Sequence, residues 1–129
     1  MTIIDTHCHL YLEEFKADIG AVIESARNYG VAKFYLPAID SEVIAAMLAL
    51  EQQYPGVCIP MIGLHPCSVK ENYREELAIA KEWLQKRPFV AIGEIGLDFY
   101  WDKTFAKEQY EAFAITMQWA LDKALPMGI

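Results

Sequence analysis

The stretch FVAIGEIGLD, residues 89 to 98, decides how this chain folds. Four apolar residues, FVAI, read as a buried strand. Gly93 ends the run, and Glu94 follows at the strand's carboxyl end, with Asp98 four residues on. A carboxylate at the end of a buried strand must be paired, hydrogen-bonded or bound to a metal ion. The rest of the chain says where this strand sits and which of these roles Glu94 takes.

The same unit recurs along the sequence. Apolar, β-rich runs begin near Ile3, Val31, Val57, Phe89 and Leu125. Between them the apolar residues adopt helical spacing. Phe15, Ile19, Ile23 and Ala26 share one face, as do Val43, Met47, Leu50 and Tyr54. Leu77, Ala80 and Leu84 form a weaker third stripe. Tyr110, Phe113, Met117, Ala120 and Ala124 form the longest. Gly30 and Pro55-Gly56 stop the first two helices. Asp40 can cap the second, and Asn72 with Glu75 reads as a capping box for the third. Pro60 conflicts with a strand there, because proline cannot donate to a ladder.

Strands alternating with helices predict right-handed βαβ units and a parallel sheet. The chain reads as four βα units plus the start of a fifth strand. That is about half of a (β/α)8 barrel, which takes ~250 residues. An open doubly wound sheet is the alternative. No glycine-rich dinucleotide turn is present, which counts against its nucleotide-binding version.

Composition limits the function classes. A chain of 129 residues with 54% hydrophobic content makes one domain, residues 1–129, with its own core. No apolar run approaches the ~20 residues of a membrane span, and the amino terminus lacks signal-peptide features. Cys8, Cys58 and Cys67 are an odd number without CxxC spacing. Reduced thiols and a cytoplasmic location are expected. A net charge of -7 disfavours general coating of nucleic acid. It leaves room for an enzyme of phosphate esters, because bound cations supply positive charge locally.

In parallel α/β folds chemistry gathers at the carboxyl ends of strands. The first strand ends in His7-Cys8-His9, the third in GLHP (63–66), the fourth in GEIGLD (93–98). Alternation sends Asp5, His7 and His9 to one face of the first strand and turns Cys8 to the other. Two histidines at i and i+2 can aim at one ion or serve as hydrogen-bonded loop residues. If a barrel forms, Glu94 rims the same opening. Imidazole with carboxylate suits Zn, Mn or Fe, and carboxylate with water suits Mg. A bridging glutamate also holds two-metal hydrolytic sites at ~3.5–4 Å separation. His65 is either a loop histidine beside Pro66 or a substrate contact. Asp98 either orients a ligand or caps a turn. Phe99, Tyr100 and Trp101 cover core, wall a pocket or stack on a base.

DTHCHL, GLHP and GEIGLDFYWD, in this order and spacing, resemble the TatD family of metal-dependent deoxyribonucleases, from Ile3 to Leu125. The resemblance implies a (β/α)8 barrel holding one or two divalent cations (Mg, Mn or Zn). It implies hydrolysis of phosphodiester bonds in DNA, with a metal-bound water as nucleophile. His7 and His9 match the family's first two ligands, Glu94 its shared carboxylate, and His65 a histidine near the substrate phosphate. Position 11 is tyrosine, where the family usually has Asp or Asn. The family pattern continues with two more histidines and a late aspartate, and Met127-Gly128 departs from its usual apolar strand. The resemblance is therefore to the amino-terminal half, and weak or no turnover is expected of it alone. A non-enzymatic half barrel that self-associates or pairs through open sheet edges is an alternative. So is an amidohydrolase acting on C–N bonds, although its characteristic lysine would fall where Glu94 stands.

Overall fold

The computed structural model describes residues 1–129. Strand β1 (Ile3–Asp5) leads through a 3₁₀ turn at Glu13–Phe15 to helix α1 (Ile19–Asn28). Then come β2 (Val31–Leu36), α2 (Ile44–Gln53), β3 (Cys58–Pro60) and α3 (Tyr73–Lys86). The chain closes with β4 (Ile92–Gly93), α4 (Ala106–Lys123) and β5 (Met127–Gly128). All pairings are parallel: β1 with β2, β2 with β3, and β4 with β5. A bridge between Ile62 and Ile92 joins the two groups, so the strands lie side by side in sequence order. The chain is thus α/β with parallel strands, as the repeating pattern predicted. No helix is long and apolar enough to cross a membrane.

Helices pack their apolar stripes on the sheet. Ile23, Met47, Leu77, Ala80 and Leu84 are buried from the helix side, and Leu36, Ile62 and Ile92 from the strand side. Each large aliphatic chain so buried contributes ~1.5–3 kcal/mol. Pro60 is accommodated by alternation. Met61 N donates to Leu36 O at 2.8 Å, so the Pro60 nitrogen one residue earlier faces away from β2 and no ladder bond is lost. The fifth strand expected to begin near Leu125 forms as β5, where Met127 and Gly128 pair with Ile92 and Gly93 even though they depart from the family's usual apolar strand.

Two local expectations are corrected. Asn72 precedes α3 but its side chain makes no cap bond. The first-turn carboxylate that does cap is Glu76, and it caps a neighbour: it accepts from Ser41 N at 2.8 Å and Ser41 Oγ at 2.9 Å. Asp40 caps the same turn by accepting from Glu42 N. The second correction is the face of α4. Phe113, Met117 and Ala120 of the expected stripe do pack on the core, but Tyr110 is 57% exposed and the buried face turns toward Gln109, Ala112, Thr116 and Trp119. Thr116 hides its hydroxyl by donating to the carbonyls of Ala112 and Phe113. Gln109 Oε1 accepts from Asp98 N at 2.8 Å and Gln109 Nε2 donates to Asp98 O at 2.9 Å.

Candidate metal centre

Three loops at the carboxyl ends of β1, β3 and β4 deliver the polar residues to one place. His7 and His9 follow β1, His65 follows β3, and Glu94 follows β4. Glu94 is the hub. His7 Nε2 and His9 Nε2 lie 3.2 and 3.3 Å from its Oε2, and His65 Nε2 lies 3.1 Å from its Oε1. The ligand atoms of His7, His9 and Glu94 all fall within 4.8 Å of one another. The histidine rings of 7 and 9 meet edge to face at 5.3 Å.

A segment of main chain, Pro37–Ile39 after β2, ties these loops together. Pro37 O accepts from the Tyr11 hydroxyl at 2.5 Å. Ala38 N donates to Gly93 O at 3.0 Å, and Glu94 N donates to Ala38 O at 3.1 Å. His65 N donates to Ile39 O at 2.8 Å. Gly63 passes so close to Gly93 that a Cβ there would stand 2.7 Å from its carbonyl carbon. No periodic pattern marks residues 37–39, so sequence reasoning missed this strap.

The electrostatics favour an ionised carboxylate. The Glu94 side chain is only 14% exposed. Burial opposes its charge, but the hydrogen bond donated by His65, with a smaller part from the charge of His7, holds the carboxyl well below the usual range. The histidines differ in hydrogen-bond role. His65 Nδ1 accepts from Cys67 N at 2.9 Å, so a neutral ring carries its proton on Nε2 and donates to Glu94. His9 instead meets the Tyr11 hydroxyl at Nδ1, 2.8 Å away.

Residues around the rim fill other roles. Asp98 accepts from Tyr100 N and from the Cys67 thiol, fixing the turn before α4. Tyr100 and Trp101 are 82% and 80% exposed and do not cover core. Cys8 packs against the core and donates its thiol to Tyr35 O.

Two imidazoles and a carboxylate, one atom each, are the donor set that suits Zn, Mn and Fe. Three protein groups are also the number a catalytic zinc site uses. Such donors at the carboxyl ends of parallel strands form a candidate metal site. The chain belongs to the TatD-related DNase family, whose model matches residues 4–129. It is 35% identical over 127 residues to YjjV of Escherichia coli K12, an uncharacterised metal-dependent hydrolase, covering 97% of this chain and 46% of YjjV. The 3′-5′ ssDNA/RNA exonuclease TatD of Erwinia tasmaniensis is 30% identical over 125 residues, covering 97% and 48%. The crystal structure of E. coli YjjV, a TatD homologue, superimposes with a TM-score of 0.88 at 33% identity, over 97% of this chain and 49% of that one. The chain thus spans about half the length of the relatives it matches.

Proposed function

We propose that these residues form the leading part of a (β/α)8 barrel that hydrolyses phosphodiester bonds in DNA with one or two divalent cations. The observation that carries this reading is the convergence of three histidine Nε2 atoms on the single Glu94 carboxylate. His7, His9 and Glu94 are the metal ligands in this proposal. A divalent cation held there would lower the pKa of water and offset phosphate charge. The chain needs that help, because its own net charge of -7 repels a polyanion. His65 serves the substrate instead. Its Nε2 proton, now directed at Glu94 Oε1, can turn to a phosphate oxygen. The exposed Tyr100 and Trp101 rings offer faces on which a base can stack.

Uptake of Mn²⁺, followed by loss of the free-ion electron paramagnetic resonance signal, tests the ligand set. The wild-type chain is expected to bind at least one ion, and Glu94→Gln to lose that binding. Cleavage of end-labelled single-stranded DNA by these residues alone is expected to be weak or absent; any that is seen should depend on Mn²⁺ and vanish in the same variant. A wild-type chain that leaves millimolar Mn²⁺ free would overturn the proposal.

A further inference from the structure

We propose that Tyr11 is a positioning residue that locks the His9 imidazole in its Nδ1–H form and so presents Nε2 as an electron-pair donor to the cation. This rests on the metal reading above. It concerns a residue at which the chain departs from the family pattern, where a carboxylate or amide is usual.

The Tyr11 hydroxyl has one proton to give. Its oxygen lies 2.5 Å from Pro37 O and 2.8 Å from His9 Nδ1. A carbonyl oxygen can only accept, so the proton goes to Pro37. The hydroxyl oxygen must then accept from Nδ1, which therefore carries hydrogen. In a neutral ring that leaves Nε2 with its lone pair, aimed at the Glu94 side of the site. Tyr11 is itself buried, 8% exposed, so the contact is shielded from solvent.

The partner carbonyl is itself fixed. Pro37 is fully buried and adjoins Ala38, whose main chain bonds both Gly93 and Glu94. One short segment thus sets the Glu94 backbone and, through Tyr11, the His9 ring. His65 shows the opposite arrangement, accepting at Nδ1 and donating at Nε2. The two rings are prepared for different tasks, one for an ion and one for an oxygen. A phenol achieves this at His9 without placing a second negative charge beside Glu94.

Tyr11→Phe keeps the ring and removes only the oxygen. Zn²⁺ affinity is measured by competition with a chromophoric chelator, and ring N–H signals by nuclear magnetic resonance of the ¹⁵N-labelled, Zn²⁺-loaded protein. The variant should bind Zn²⁺ ~10–100-fold more weakly. The wild type should show a His9 Nδ1–H signal protected from solvent exchange, absent in the variant, with circular dichroism unchanged. Equal Zn²⁺ affinities, or no protected Nδ1–H in the wild type, overturn the role of Tyr11 and leave the metal site standing. A wild type that takes up no Zn²⁺ sensitive to His9→Ala overturns the metal reading and this inference with it. If the variant does not fold, the wild-type signal alone decides.

Discussion

Replacing Gly63 with alanine should damage the fold and the site together. A Cβ at residue 63 would stand 2.7 Å from the Gly93 carbonyl carbon, 2.8 Å from Glu94 O and 2.9 Å from Gly93 O. Ordinary contact begins near 3.4 Å, so one of the two backbones must retreat by about 0.7 Å. The Gly93–Glu94 backbone cannot retreat freely. Gly93 N donates to Ile62 O, Gly93 O accepts from Ala38 N, and Glu94 N donates to Ala38 O. Overpacking against such a backbone costs ~1–3 kcal/mol. With a urea slope of ~2 kcal/mol per molar, the unfolding midpoint should fall by ~0.5–1.5 M. Functional geometry tolerates ~0.5 Å of misplacement, so Zn²⁺ affinity should fall as well. Tryptophan fluorescence in urea and a Zn²⁺ titration read the two effects. Gly56→Ala is the control. Gly56 has φ +74° and open space around its would-be Cβ, so alanine there costs backbone energy of ~1 kcal/mol and leaves Glu94 alone. A Gly63→Ala variant matching wild type in both assays, or matching Gly56→Ala in both, would refute the argument.

Two further outcomes are expected. Gln109→Ala strands the Asp98 N–H and C=O and should cost ~2 kcal/mol in urea unfolding, while Gln109→Glu, which keeps the acceptor, should fall between it and wild type; no loss in either would show that water replaces the amide. Stability should also decline in alkali. Burial pushes the Cys8 thiol up to about 12 and the Cys58 thiol up to about 11, from an ordinary 9.0. The folded chain therefore holds protons that the unfolded chain releases above pH 9, and their contribution, complete below that pH, is lost as the pH rises through 11 to 12. Urea midpoints measured from pH 8.5 upward should fall, and Cys8→Ala should flatten the slope; a level profile in the wild type counts against this account.

Much of this architecture could be read from residue order, because burial imposes periodicity. The recurring strand and helix runs, and the polar residues after each strand, are periodic or positional signals. They place His7, His9, His65 and Glu94 at one end of the sheet, where the structure brings them together. What escaped was non-periodic. Gln109 and Thr116 look like solvent-facing residues of α4, yet both are buried because each satisfies its polar atoms locally or against one loop. Tyr11 looks like a departure from a family pattern, and only its two contacts reveal a hydrogen-bonding task. Asn72 makes no cap, and the one that Glu76 gives to the turn at Ser41 is a pairing across 35 residues that no local motif encodes.

The strap at residues 37–39 has a kinetic consequence. Its bonds to Tyr11, Glu94 and His65 all lie on one three-residue length of main chain. An opening of that length would loosen all three together. Exposure of the residue 37–39 backbone and loss of the geometry that holds an ion are therefore expected to be coupled.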